Sequence, residues 1–577
     1  MITKPTMTNN PTPQERYKLL KTALIENRRP EDFDNIIELL GPPGEITTIL
    51  PAGSCKNIKV AILGGGLAGL SAAFELRKLG FNITIFEGEE DRVGGRVYTH
   101  YFDKVKNLYG ELGPMRIPVS HETTWHYIDL FGLKTRPFAQ TNINTFHYVM
   151  DTRVRNRPEA VQKYIYPFFD MTREERSKEW PQLEAEGLEE YLLKMSPKIR
   201  REILEIKEVY SEEIVYADSL NVKEKLEVSG LSQGAISMLS SVNPFIGAFL
   251  YNSYFEILHE IYPLSFTYLY EIIGGMVNLP KSLLSSLLND FPKEYSFISQ
   301  GDIGKIFWRP GHGVVGIHQN ERNHSIGISY KVSASGIEGT DYFDYVICAL
   351  PFSNLRLINL NPLFSTKKME AIRQINLSAA QKTILLCNYR FWEMGLPDER
   401  ILGGGSTTDM VINTIWYPSN GREKNEGYIN MGPFQSPACK WSFHKGYNPY
   451  QPGVITGSYN WTQDAVRLGN FPESHRIEII KEQVEKVHGL PFNSLDSIVL
   501  DSKSLLWNNH PWSLGGVTFY MPQQKVDFSK VAIAAEYNNR LFFAGEHVSV
   551  SRSWMQGALQ SGMLAANSIA RFCKVYR

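Results

Sequence analysis

The period of the hydrophobic pattern changes several times along the chain. From Lys59, "KVAILGG" is a short continuous apolar run ending in glycines, "GLAGLSAAFELRKLG" has helical spacing, and "FNITIFE" is again a short apolar run. This order predicts strand, tight turn, helix and strand, with Gly80 closing the helix. Ahead of it, residues 1–57 read as a helical extension, with pieces around "QERYKLLKTALIENR" and "PEDFDNIIELL" and then the turn-rich "GPPGEITTILPAGSCKN". Residues 160–262 carry charge-dense segments of 3.6 period, such as "TREERSKEWPQLEAEGLEEYLLKM", which predict a helical insertion with solvated charged faces. Strand patterns return in "KEYSFISQ", "SIGISYKVSAS", "YFDYVICALP", "KTILLCNY" and "GVITGSYNW". The chain closes on "RLFFAGEH" and a long helix from "WMQGALQSGMLAANSIARF", and no repeat or low-complexity tract interrupts it.

Composition narrows the partners. The 577 residues, 43% hydrophobic, suffice for a large buried core. Sixty basic against sixty-one acidic residues leave a net charge of −1, so no global field draws nucleic acid or an anionic membrane. Cys55, Cys348, Cys387, Cys439 and Cys573 are far apart and form no C-x-x-C pair, which fits a reducing compartment. The N-terminus lacks the apolar run of a signal peptide, and "SVNPFIGAFLYNSYFEIL" is broken by Asn243, Pro244, Asn252 and Glu256. A cytoplasmic protein without a membrane span is expected.

Candidate chemistry begins with Gly64, Gly66 and Gly69, a G-x-G-x-x-G between predicted strand and helix, with Glu87 ending the next strand. The glycines allow a tight turn and close backbone approach to a pyrophosphate, the helix N-terminus favours negative charge, and the acid can accept from ribose hydroxyls. Gly94, Gly95 and Arg96 in "DRVGGRVYT" offer a second phosphate contact, and "LFFAGEHVS" brings Gly545 and Glu546 to a strand end. In "GELGPMRIP" a guanidinium, Arg116, stands among Gly113, Pro114, Met115, Ile117 and Pro118. Such an arginine either turns out to water or meets an anion in a pocket.

From Lys59 to the C-terminus these segments resemble the flavin-containing amine oxidases, in which three of them wrap an extended FAD. "GELGPMRIP", "INTIWYP", "WNNHPWSLGG" and "SRSWMQGALQSG" narrow the resemblance to the L-amino-acid oxidase group. It implies an α/β fold: a Rossmann-type FAD-binding domain (58–115, 263–363 and 526–577) interleaved with a mixed-sheet substrate domain (116–159 and 364–525) and a helical domain (160–262), behind the 1–57 extension. Met115, Arg116, Trp554 and Met555 then join the glycines, Glu87, Arg96 and Glu546 at the cofactor. Arg116 and Tyr417 are expected on the substrate carboxylate, Trp512 and Trp554 as aromatic walls, and Lys382 near flavin N5. Ser553 departs from the glycine common before the second aromatic. Val517, not cysteine, follows Gly515–Gly516, so FAD is expected to be non-covalent. His259 reads as structural, His547 as beside the cofactor, and Lys367 and Lys368 as surface residues. The implied reaction is oxidation of an L-amino acid by O₂ to a 2-oxo acid, ammonia and hydrogen peroxide, in a homodimeric protein. An amine or polyamine oxidase, a decarboxylating monooxygenase and a flavin-binding scaffold without turnover are the alternatives.

Overall fold

The computed structural model describes residues 6–320, 324–396, 399–420, 422–429, 438–443 and 448–576. Its nucleus is a five-stranded sheet in the order Ile306–Arg309, Asn82–Phe86, Lys59–Leu63, Tyr345–Cys348, Leu541–Phe543, every pair parallel. Covered on both faces, these strands are the uninterrupted apolar runs that parallel sheets require. Helix Leu67–Lys78 follows the first strand, Gly80 (φ +90) ends it in the left-handed region, and the C-terminal helix Met555–Tyr576 packs on it. The two helices touch closely: Ser71 Oγ donates to Leu559 O at 2.9 Å, and a Cβ on Gly562 would stand 2.2 Å from Ala68 O.

A mixed seven-stranded sheet forms the other side, ordered Val499–Leu506, Ala380–Cys387, Gly453–Trp461, Thr414–Trp416, Gly405–Thr408, Phe146–Val149, Thr152–Arg155. Every element from Pro158–Tyr164 to Tyr254–Ile261 is helical, as the charge-dense periodicity predicts. Two expectations change. "KEYSFISQ" is not a strand but two short 3-10 turns, Lys293–Tyr295 and Gln300–Asp302. Strand Leu269–Ile272 pairs with Ile117–Pro118 and Thr135–Phe138, so residues 269–272 go with the substrate-side strands rather than with the nucleotide-binding segment that was to begin at 263. Among the described residues no helix is long and apolar enough to cross a membrane.

The N-terminal extension is part of the core. Thr12 and Glu15 form a reciprocal capping box at helix Pro13–Glu26, satisfying two otherwise orphaned backbone donors. Gln556 and Gln560 of the C-terminal helix donate to Leu40 O and Leu39 O. Buried Arg29 donates to Ile261 O and Tyr262 O at the end of the helical region and pairs with buried Asp32 at 3.0 Å; Arg200 pairs with the same carboxylate at 2.8 Å. Asp32 thus holds two buried guanidiniums, and its loss leaves Arg29 without an ion-pair partner among the described residues and Arg200 with Glu31 alone. Asp32→Asn is expected to cost about 3–5 kcal/mol, read as a lower urea midpoint with an unchanged slope.

Candidate active site

A cavity of about 360 Å³ runs from the end of the parallel sheet to the mixed sheet. Gly64, Gly66, Gly94, Gly95 and Gly545 line it together with Glu87, Arg96, Glu546 and Met555. Gly69 lies beneath rather than beside it: a Cβ there would stand 2.0 Å from Gly64 O, so its role is the tight strand-to-helix turn. Gly66 and Gly94 form an isolated parallel bridge, and Gly94 (φ +111) and Gly95 (φ +58) adopt backbone conformations that only glycine takes without strain. A Cβ on Gly94 would also stand 2.8 Å from Pro280 Cγ. Buried Glu87 accepts from Gly65 N at 2.8 Å and Glu89 N at 2.9 Å, and burial raises its pKa. This set of bare backbone amides, a helix start and a positioned acid fits an elongated dinucleotide.

Two cofactor-side expectations change in detail. Arg96 lines the cavity, but its Nη1 pairs with Glu546 at 2.6 Å and donates to Gly516 O at 3.1 Å. Although burial alone would raise it, the Glu546 pKa is held low by Arg96 and by bonds from Ser553 N and Thr518 Oγ1. His547 faces away from the cavity, edge-on to Phe352 at 4.6 Å.

Where the cavity meets the mixed sheet it continues into one of about 80 Å³, sharing Gly113, Pro114, Lys382, Tyr459, Ser553 and Trp554 among its walls. Lys382 is 2% exposed; its Nζ donates to Gly113 O at 2.6 Å and stands 4.1 Å from the centre of the Tyr459 ring. Burial, with the Arg116 charge nearby, pulls its pKa down to about 7. Lys382 and Tyr459 are opposite one another in antiparallel register, which brings them together. Trp554 donates Nε1–H to both Glu260 oxygens at 3.0 Å, and burial lifts the Glu260 pKa to about 7. Arg552, in the turn before Trp554, is fixed by a buried pair with Glu256 (Nε to Oε1 3.1 Å), each side chain 1% exposed.

Arg116 turns inward. Its Nη1 donates to Gln140 Oε1 at 2.8 Å, and its guanidinium lies 5.0 Å from the Phe266 ring centre and 5.1 Å from that of Trp416. No carboxylate among the described residues forms an ion pair with it. Burial lowers its pKa to about 10, which leaves it charged at neutral pH.

Two residues predicted at the substrate line neither of the cavities that Arg116 lines. Tyr417 lies on the core side of the mixed sheet, its hydroxyl bonded to Ser406 Oγ and His488 Nε2, each at 2.8 Å. It lines neither cavity that Arg116 lines; Tyr459 occupies that place. Trp512, 39% exposed, wedges between Gly88 and Gly313 at the Glu87 end, where a Cβ on either glycine would stand 2.4 Å from its ring. The His510–Glu89 contact at 2.9 Å pins that loop. Trp507 instead is the buried tryptophan of this motif, donating to Leu112 O at 2.8 Å. Met115 lines the smaller cavity rather than the long one, 3.6 Å from Lys382 Nζ through its sulfur. His259 is structural as expected, bonded to Val550 O at 2.6 Å, and Lys367 is exposed. Lys368 is not a surface residue: it is buried and donates to Ala532 O and Ala534 O.

Such a cradle, opening beside a buried lysine and tryptophan, belongs to the class of nucleotide-dependent redox enzymes. Residues 67–570 match the model of the family described as flavin containing amine oxidoreductase, and the chain belongs to that family. It is an oxidoreductase, and its cofactor is a flavin. The L-amino-acid oxidase of Sistrurus catenatus edwardsii is 28% identical over 96% of this chain and 93% of its own length; that of Protobothrops flavoviridis is 29% identical over 89% and 88%. Among solved structures, putrescine oxidase bound to putrescine superposes with a TM-score of 0.62 at 15% identity, covering 89% of this chain and 98% of its own. Cyclohexylamine oxidase from Brevibacterium oxydans IH-35A gives 0.61 at 15%, covering 89% and 99%. These two share the fold.

Ser553 explains why glycine suits the position before Trp554. Its φ is +64, in the left-handed region, and its Oγ offsets the strain by donating to Thr518 O at 2.7 Å. Ser553→Ala keeps the strain and loses the bond, whereas Ser553→Gly loses both. Alanine is therefore expected to destabilise by about 1 kcal/mol, visible as a lower melting temperature, and glycine to stay near wild type or above it.

Proposed function

We propose that the protein is an FAD-dependent L-amino-acid oxidase, converting its substrate with O₂ to a 2-oxo acid, ammonia and hydrogen peroxide. The observation that carries this is Arg116: a half-buried, charged guanidinium beside the reaction cavity with no carboxylate among the described residues paired to it. An amine substrate has no use for it. The similarity to the L-amino-acid oxidases over nearly the whole chain supports the same reading. When bound, FAD supplies the two-electron acceptor that takes hydride from Cα and returns the electrons to O₂. The glycine cradle, Glu87 and the start of helix Met555–Tyr576 would hold it, and Val517 after Gly515–Gly516 would leave it without a covalent link.

Arg116 takes the α-carboxylate, with the Tyr459 hydroxyl as its partner in place of Tyr417. The faces of Tyr459 and Trp554 exclude water and orient the amine. Glu260, bonded to Trp554, stands in the wall of the same cavity and accepts the proton that the α-ammonium sheds before its Cα–H can leave as hydride. Lys382 holds a water in the half-reaction with O₂.

Arg116→Met, which keeps an apolar stem, is expected to lower kcat/KM for an amino acid by roughly two to four orders of magnitude, the equivalent of about 3–5 kcal/mol for one partner of a buried pair. The decarboxylated amine should lose little, or gain. Equal losses for both substrates would contradict the assignment.

The pH profile tests Glu260. As a carboxylate it accepts a proton, so kcat/KM should fall as pH drops through about 7. Glu260→Gln should lower the rate and remove that limb. A limb that persists in Glu260→Gln assigns it to Lys382, which titrates in the same range.

A further inference from the structure

On the far side of Arg116 lies a third cavity of about 180 Å³, sharing Arg116, Phe245, Glu260, Phe266 and Trp461 with the reaction cavity. One wall is a single face of helix Trp180–Leu188, where Trp180, Glu184 and Leu188 recur every four residues. Two groups on that face are incompletely matched. Trp180 is 3% exposed, and its Nε1–H has no acceptor among the described residues; an indole nitrogen only donates. Glu184 is 4% exposed: its Oε2 accepts from Asn243 Nδ2 at 3.0 Å, while Oε1 makes no hydrogen bond among the described residues. Among the described residues no cation pairs with it. Native structures leave few buried polar groups unmet, and each such group calls for an explanation.

We propose that this wall is the side-chain subsite and selects L-amino acids ending in a carboxamide or ureido group, whose oxygen accepts from Trp180 Nε1–H and whose N–H donates to Glu184. The proposal rests on the oxidase reading and names its substrate class. The alternatives each leave something unmet. A basic side chain offers the indole no acceptor. An acidic one sets a second carboxylate against Glu184, and an apolar one leaves both groups bare. A site built to hydrogen-bond its substrate rejects analogues lacking those groups strongly, because its own polar atoms are then stranded.

The test compares kcat/KM of the holoenzyme for glutamine, asparagine and citrulline with that for methionine, lysine and glutamate. At least one amide or ureido substrate should exceed all three comparators by about tenfold or more. Trp180→Phe, which keeps the ring and deletes the N–H, and Glu184→Met, which deletes the acceptor, should each cut the glutamine-to-methionine ratio about tenfold. Methionine or lysine matching the best amide substrate on wild type would overturn the proposal, as would a ratio unmoved in a Trp180→Phe protein of normal melting temperature. Failure of all twenty amino acids to turn over would refute the oxidase reading instead. The subsite is then judged by calorimetric titration with the same ligands, tighter binding of an amide supporting it and equal binding refuting it.

Discussion

A guanidinium with no ion-pair partner among the described residues organises one half of this protein. Taking a guanidinium out of water costs several kcal/mol even after relaxation, and the fold meets the cost of Arg116 only in part, with one amide oxygen from Gln140 and the faces of Phe266 and Trp416. Its field reaches the neighbouring groups, helping to hold Lys382 near neutrality and moderating the rise of Glu260. The site is therefore set up for an arriving anion, which would complete the electrostatics that the protein leaves open.

The same residue joins the cavities. The long nucleotide cavity, the small one at Lys382 and the one beneath the helical region share walls in sequence, with Tyr459 and Trp554 at the first junction and Arg116 and Glu260 at the second. Each wall comes from a different part of the fold: parallel sheet, mixed sheet and helices. Interleaving along the chain is what lets these layers meet at one point. The buried Arg552–Glu256 pair adds rigidity where the helical region touches the turn that carries Ser553 and Trp554.

Local patterns carried much of this in the sequence. The strand, glycine turn and helix from Lys59, the inward arginine in "GELGPMRIP" and the strand lysine of "QKTILL" are all where their patterns place them. Misplacements arose where a motif holds two similar residues and only long-range packing chooses between them. Trp507 and Trp512 are five residues apart, and the 3-10 turn Trp507–Asn509 and the residues after it send one ring to a buried place beside Leu112 and the other to Gly88 and Gly313. Tyr417 directly follows strand Thr414–Trp416 and Tyr459 lies within strand Gly453–Trp461 of the mixed sheet, but only Tyr459 stands across from Lys382. That signal was in principle readable: Tyr459 and Trp461 in "GSYNW" are spaced by two, so they share one face of a strand. Glu260 gave no local signal, since its function follows from packing against Trp554, 294 residues away.

The sheet order has a consequence for biosynthesis. Leu541–Phe543 is the outermost strand of the parallel sheet and the one that delivers Gly545 and Glu546 to the cradle. A chain emerging from the ribosome at about 5–20 residues per second therefore makes its glycine turn, Gly64 to Gly69, long before the opposite wall at Gly545 and Glu546. The nascent protein carries a half-built, apolar-lined cleft between those two events, and a cofactor that needs both walls is captured only once the second has been made.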